Sequence, residues 1–398
     1  MLVKIERMDH LGSGIGYINN KIIFVKGALI GETVDVDITK EKRSFYEGKL
    51  RSIIVKSSKR IEPFCPYFGL CGGCNLQHLN YLDTLDYKKN RVLNILNRFD
   101  LPNPVIIQNK NNLYYRNKIE LKIVNKKIGF YEKNTNKLIE INECKITKKS
   151  INKVISLIKS FNLNYANIII RSNYNDEVLI IINSKENISI NDDLSKYKIL
   201  GIILNDKTIY GENHFMEKID NLFFDVSYDA FFQVNNFINN KLFEIIKENV
   251  SGENILDLYS GVGTLSIMAS QNASIVYAIE VNENAVKNAL LNAKINKIKN
   301  VNFILGKVED KINLINDKID TVIVDPPRSG LDKKTIDYLK EINASKIIYI
   351  SCDTQSLANN LNDLINDYTV EKLYLLDMFS YTYHVECVSV LHRKSLEK

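Results

Sequence analysis

The sequence predicts a multi-domain protein: an N-terminal OB-like β-barrel, a central α+β domain, and a C-terminal α/β domain of Rossmann-like type. Three observations predict it. The chain has 398 residues, more than one ordinary domain holds. Its first 55 residues break into short apolar–charged runs, several in close succession. From about residue 230 the pattern alternates regularly between strand-like and helix-like segments, the signature of a parallel, doubly wound sheet.

The runs LVKIERM, GIGYIN, KIIFVKG, ETVDVDITK and FYEGKLRSIIV form the predicted barrel, with Gly12, Gly14 and Gly16 punctuating its first turn. A cysteine-rich segment follows at 61–76. Residues 80–98 place Leu82, Leu85, Val92, Leu93 and Leu96 at helical spacing. From about 113 to 225 the pattern is mostly strand, interrupted by the helical SINKVISLIKSF. Domain boundaries are therefore set at 1–58, 59–228 and 229–398. No internal repeat or low-complexity tract is present.

Composition is that of a globular protein, 45% hydrophobic and 25% charged. No apolar run approaches the roughly 20 residues that span a bilayer. The start MLVKIERMDH has charges where a secretory leader needs apolar residues, so a cytoplasmic, membrane-free protein is expected. The net charge of +6 is unevenly spread: residues 1–149 hold 27 Lys/Arg against 15 Asp/Glu, and the rest hold 26 against 32. A basic portion joined to a mildly acidic one suggests a part that grips a polyanion and a part that does chemistry. A solvated lysine-rich surface would also explain the charge, though not its asymmetry.

ILDLYSGVGTLSI puts an acidic residue in an apolar strand, then Gly261 and Gly263, then a helix. Glycines there let backbone amides approach a ligand at the helix N-terminus. SIVYAIEVN ends the next strand with Glu280, 23 residues beyond Asp257, where a carboxylate can accept from both ribose hydroxyls of an adenosine. The third glycine of the dinucleotide signature is replaced by Ser266, which favours S-adenosylmethionine over a nicotinamide cofactor. VIVDPPRSG sets Asp325 at a strand end on the same crevice edge, and Arg328 stands where amino-methylating enzymes carry an aromatic.

KIIYISCDTQSLANNL places Cys352 between a strand and a helix, where the helix N-terminus is expected to lower the thiol pKa. Alone, such a cysteine is more often a small buried hydrophobe. A thiolate beside a methyl donor suits methylation of a ring carbon: attack at C6 of uracil activates C5, and a base must then remove the C5 proton. Glu386 in LLDMFSYTYHVECV is the expected base, with His384 and Asp377 nearby. Cys387 should point to the other face of the strand, into the core. Cys65, Cys71 and Cys74, spaced C-x5-C-x2-C, with Cys144 as a remote fourth sulfur, read as a metal site. Three clustered thiols and one distant one are closer to an iron–sulfur arrangement than to the paired ligands of structural zinc.

The motifs DHLGSGIGYI, CPYFGLCGGCNLQHL, YRNKIE, AFFQVNN, DLYSGVGTLS, DPPRSGL, SCDTQSLANNL and DMFSYTYHVE occur in that order along the chain. In this the sequence resembles the RNA uracil-5-methyltransferases, over essentially its whole length, and in particular the subgroup with a TRAM domain and a [4Fe-4S] cluster. The resemblance implies Cys352 as nucleophile and Glu386 as proton acceptor. It implies Gln233, Tyr259, Gly261, Thr264, Glu280, Lys307 and Asp325 as the S-adenosylmethionine contacts, and Cys65, Cys71, Cys74 and Cys144 as cluster ligands. Thr354, Gln355, Ser380 and Tyr383 depart from the family pattern. It further implies that residues 77–107 pack on the catalytic domain and that 23S ribosomal RNA is the substrate; a monomer is expected. The T-loop uridine of transfer RNA is the alternative. A cytosine-5-methyltransferase would carry a cysteine beside Asp325-Pro326-Pro327, which is absent, and a non-catalytic RNA-binding protein would not need Cys352, Glu386 and Asp325 together.

Overall fold

A computed structural model describes residues 1–132, 135–188, 190 and 193–395. Residues 396–398 of the expected C-terminal domain lie outside them. The N-terminal strands form one six-stranded sheet in the order Leu2–Lys4, Thr33–Glu41, Phe45–Val55, Lys21–Lys26, Ser13–Ile18, Arg7–Met8. The sheet curls back on itself: the Glu6 amide donates to the Ile15 carbonyl at 2.9 Å, around a core of Val3, Ile5, Ile23, Val25, Val34 and Val36. Gly16 permits that closure, since a Cβ there would meet Val3 Cγ1 at 2.4 Å and the Lys4 carbonyl oxygen at 2.5 Å.

A seven-stranded sheet follows, in the order Leu138–Glu140, Lys127–Tyr131, Lys118–Val124, Tyr165–Ser172, Val178–Asn183, Ile199–Leu204, Lys207–Gly211. The helix Lys149–Ser160 covers one face. It buries Ile151, Val154, Ile155 and Ile158, an i, i+3, i+4, i+7 stripe, against Leu121, Ile168 and Ile180. A two-stranded ribbon, His214–Ile219 with Leu222–Ser227, leads to the last unit.

There an eight-stranded sheet runs Val301–Leu305, Ile275–Glu280, Asn254–Leu258, Thr321–Val324, Lys346–Ser351, Glu386–Arg393, Tyr368–Leu376, Val105–Ile107. Its pairings are parallel except where Glu386–Arg393 runs antiparallel to both neighbours. The near-continuous burial of Thr321–Val324 and Lys346–Ser351 is what a sheet covered on both faces requires. From Asn254–Leu258 the chain moves to one side and later returns on the other. That leaves a topological switch between Leu258 and Val324, where open α/β sheets bind ligands.

The helix Tyr81–Ile95 packs on Thr354–Leu364, with Val92, Leu96 and Phe99 sharing a core with Leu357 and Leu361. The strand Val105–Ile107, absent from the periodicity reading, adds to the sheet edge parallel to Tyr368–Leu376. Among the described residues no helix is long and apolar enough to cross a membrane.

Candidate active site

Two features meet at the carboxyl edge of the eight-stranded sheet. The first is a cleft at the switch point, lined by Gln233, Tyr259, Gly261, Thr264 and Asp325 among others. Tyr259 adopts a left-handed backbone (φ 66°), a conformation that costs a non-glycine residue energy and clusters at ligand sites. Gly261 (φ 54°) has nothing near its would-be Cβ, so its open side is free for a ligand. Gly263 differs from expectation: its would-be Cβ would press on Ala289 and Phe303 at 3.0 Å, so it serves helix packing.

Glu280 stands beside the loop, its Oε2 accepting from the Gly261 amide at 2.9 Å and its Oε1 from the Asn282 amide at 2.8 Å. Lys307 is exposed at the N-terminus of the short helix Val308–Lys311, two residues past Leu305, which is registered with Glu280 on the neighbouring strand.

Of the cleft residues that the sequence did not single out, three bear on ligand binding. Asn239 Oδ1 and Ser260 Oγ are buried without a hydrogen-bond partner among the described residues, polar atoms that a ligand would satisfy. Phe231 also lines the cleft while 70% exposed. An exposed aromatic beside a polar pocket was the available signal. Asp257, buried below, accepts from Ser266 Oγ, and burial pushes its carboxyl up to about 7.

The second feature is a thiol facing a carboxyl. In the antiparallel ladder Ser351 is registered with Cys387; Cys352 and Glu386 are the next residues outward on the two segments, near enough that the Glu386 charge acts on the thiol. Cys387 is fully buried in the core on the opposite face. Burial raises the Glu386 carboxyl well above its ordinary range, with the Asp325 charge adding to the rise and Arg328 opposing it. Burial likewise raises Asp325 to about 7.

The expected depression of the Cys352 thiol is overturned. Burial first, then the negative charges of Glu386 and Asp325, push it up to about 11, while a hydrogen bond and the charge of Arg328 pull it down. Asp353 caps the helix that follows, its carboxylate accepting the Ser356 amide at 2.8 Å. His384, desolvated by burial and then opposed by the charges of Arg328, Arg91 and Lys88, is lowered to about 4 and is neutral at pH 7.

The thiols of Cys65, Cys71, Cys74 and Cys144 are free of disulfides and line one cavity of about 190 Å³. Among the described residues no group of three or more His, Cys, Asp or Glu is disposed to hold a metal ion. The cavity is several times the roughly 30 Å³ share of a water molecule, so its size suits a group bulkier than a single ion. Gln77 Oε1 and Thr147 Oγ1 at its wall are buried without partners among the described residues.

Residues 198–394 match the family model described as tRNA (uracil-5-)-methyltransferase, and residues 1–50 match the TRAM domain. An uncharacterised RNA methyltransferase of Clostridium acetobutylicum is 35% identical over 98% of this chain and 96% of its own length. One from Caldanaerobacter subterraneus subsp. tengcongensis is 36% identical over 98% and 97%. The crystal structure of the Pyrococcus abyssi tRNA (uracil-54, C5)-methyltransferase in complex with S-adenosyl-L-homocysteine superposes with a TM-score of 0.84 at 26% identity. It covers 98% of this chain and 100% of that one.

Proposed function

The chain belongs to the RNA uracil-5-methyltransferase family, and from that premise we propose that it methylates C5 of one uridine in RNA with Cys352 as nucleophile and Glu386 as base. The observation that carries this assignment is the nearness of Cys352 and Glu386 at the end of the ladder, with Asp325 of the cleft acting on both.

S-adenosylmethionine, when bound, supplies an electrophilic methyl carbon. Gln233, Tyr259, Gly261, Thr264, Glu280 and Asp325 would hold it, joined by Asn239 and Ser260, whose unpaired oxygens fit a ligand bearing hydroxyl and amino donors. Lys307, two residues past the strand paired with that of Glu280, is the remaining expected contact.

Cys352 must first lose its proton, and Arg328, bonded to the thiol, stabilises the thiolate against the two carboxyls. The Sγ adds to C6 of the uracil, and the electron pair of the C5=C6 bond moves onto C5 and the C4 oxygen. C5 then takes the methyl group as the methyl–sulfur bond of the donor breaks, the bond's electron pair staying on the departing thioether sulfur. Glu386 removes the remaining C5 proton, the C5=C6 bond re-forms and the C6–Sγ bond breaks, returning its pair to sulfur. A carboxylate raised by burial is the stronger base when ionised, which suits this second step. A flipped-out base must reach Cys352, which favours an RNA loop over a continuous duplex.

We assign residues 1–58, 59–228 and 229–398 to the three domains, with Tyr81–Ile95 and Val105–Ile107 crossing to the third. The four-thiol cavity is read as the seat of a [4Fe-4S] cluster, held by Cys65, Cys71, Cys74 and Cys144; the four thiols on one cavity and the cavity size support it. The chemistry above needs no electron from it.

The combination of TRAM domain and cysteine site supports 23S ribosomal RNA as substrate. The likeness to the Pyrococcus abyssi tRNA enzyme favours a second reading, the T-loop uridine of transfer RNA. Mass mapping of 5-methyluridine in both RNAs from a deletion strain tests the assignment. Loss of the base from one rRNA site supports the first reading, loss from tRNA the second, and loss from neither refutes both.

A further inference from the structure

The segment between the strands Tyr368–Leu376 and Glu386–Arg393, residues 377–385, delivers Glu386 to its place, yet it forms no strand or helix of its own. A turn within it is closed by the Thr382 amide and hydroxyl on the Phe379 carbonyl, and much of the rest of its shape is imposed from outside. The Met378 carbonyl accepts from Asn235 Nδ2 at 3.2 Å, and the Phe379 carbonyl from Lys88 Nζ at 2.9 Å. The Ser380 carbonyl accepts from the Tyr115 hydroxyl at 3.3 Å. The Tyr381 carbonyl accepts two backbone amides, of Asn75 and Leu76, each at 3.0 Å. Four consecutive carbonyls are thus held by four other parts of the chain, and the last hold comes from the residues that immediately follow Cys74.

Tyr381 binds to the cysteine segment through its ring as well. The ring packs edge-on against Phe64 at 4.9 Å, next to Cys65, and against Tyr81 at 5.8 Å, in a small core that Cys74 and Cys144 join. Its backbone is left-handed (φ 62°), a strained state that persists only where surroundings over-determine it. Cys352 lies on a different segment, between the strand Lys346–Ser351 and the helix Thr354–Leu364, so the loop bears on the base more directly than on the nucleophile.

We infer that the four-thiol site is a latch on the loop that carries the catalytic base, and that Tyr381 is the positioning residue through which a filled thiol cavity holds Glu386 in register. The inference rests on the roles proposed above for Cys352 and Glu386. It assigns the cysteine site a consequence for one half of the reaction. With the latch loosened, the thiolate still adds to C6 and the methyl group still reaches C5. Removal of the C5 proton and breakage of the C6–Sγ bond then slow.

The test uses the full chain purified anaerobically with its cysteine site loaded, as wild type, Tyr381→Ala and Cys74→Ser. Hydrogen exchange reads the amides of residues 377–385. Rapid quenching with uridine-containing RNA and methyl-labelled S-adenosylmethionine reads the covalent protein–RNA complex separately from released product. Tyr381→Ala is expected to keep the wild-type iron and sulfide content and to speed exchange in the loop by about tenfold or more. It should also accumulate a methyl-labelled covalent complex, because release slows by at least about tenfold more than complex formation. Cys74→Ser should reproduce the faster loop exchange. Wild-type exchange rates at 377–385 in both variants, or formation and release slowed by the same factor in Tyr381→Ala, would overturn the latch. Failure of the wild type to form a trapped complex with 5-fluorouridine RNA would instead overturn the reading of Cys352 on which it rests.

Discussion

The Cys352 thiol makes the most quantitative prediction. With its pKa near 11, the free protein at pH 8 holds about one thiolate per thousand molecules, against roughly one in four for an ordinary cysteine near 8.5. Alkylation by iodoacetamide, which follows the thiolate fraction, should therefore be slower at pH 8 by about two orders of magnitude than for an unperturbed exposed cysteine. It should climb about tenfold per pH unit from pH 7 to beyond pH 9, with no plateau below pH 10. Peptide mass spectrometry isolates the Cys352 signal from the other cysteines. Glu386→Gln removes one of the charges that raise the thiol and should shift the curve to lower pH, whereas Arg328→Met removes the opposing charge and should shift it higher. A wild-type midpoint at or below 9, or shifts of the opposite sign, would refute the electrostatic account of this site.

Glu386→Gln should also lower turnover by roughly 10²–10⁴-fold, the usual worth of a general base, while leaving a covalent RNA complex visible on denaturing gels. Wild-type turnover in this variant would move the base elsewhere. Lys88, buried and paired with Asp377, also donates to the Phe379 carbonyl. Lys88→Met should cost about 3–5 kcal/mol in urea unfolding because it strands a buried carboxylate, and a loss below about 1 kcal/mol would contradict the pairing. Asp257, raised to about 7 in the folded state, binds a proton that an unfolded carboxyl near 3.9 has released. Its contribution to stability is thus present below the unfolded value and is lost as pH rises toward 7, by up to about 1.4 kcal/mol per unit. Asp257→Asn should flatten the fall of Tm between pH 4 and 7, and an unchanged slope would dismiss the assignment.

The α/β alternation after residue 230 was legible because each buried parallel strand is a short apolar run bounded by a helix with its own period. Most site residues were legible for the same reason: Tyr259, Glu280, Asp325 and Cys352 sit at or just past strand ends, where topology gathers them. The strand Val105–Ile107 was not, since three residues carry no period and its partner Tyr368–Leu376 is more than 250 positions away. Nor was the state of the Cys352 thiol. A helix N-terminus argues for a lowered pKa, but burial and the facing Glu386, which only the ladder register brings near, outweigh it. Asn239 looked like one of many helix asparagines, and only its position in the cleft, with Oδ1 unpaired among the described residues, marks it.

The central claim is that Cys352 bonds to C6 of the target uridine. Incubation with 5-fluorouridine-substituted RNA and S-adenosylmethionine blocks the final proton removal, because C5 bears fluorine where the proton would be. The account predicts a denaturation-resistant complex whose tryptic peptide carries a methylated fluorouridine on Cys352, absent in Cys352→Ala. No complex from the wild type, or a complex that survives Cys352→Ala, would contradict it.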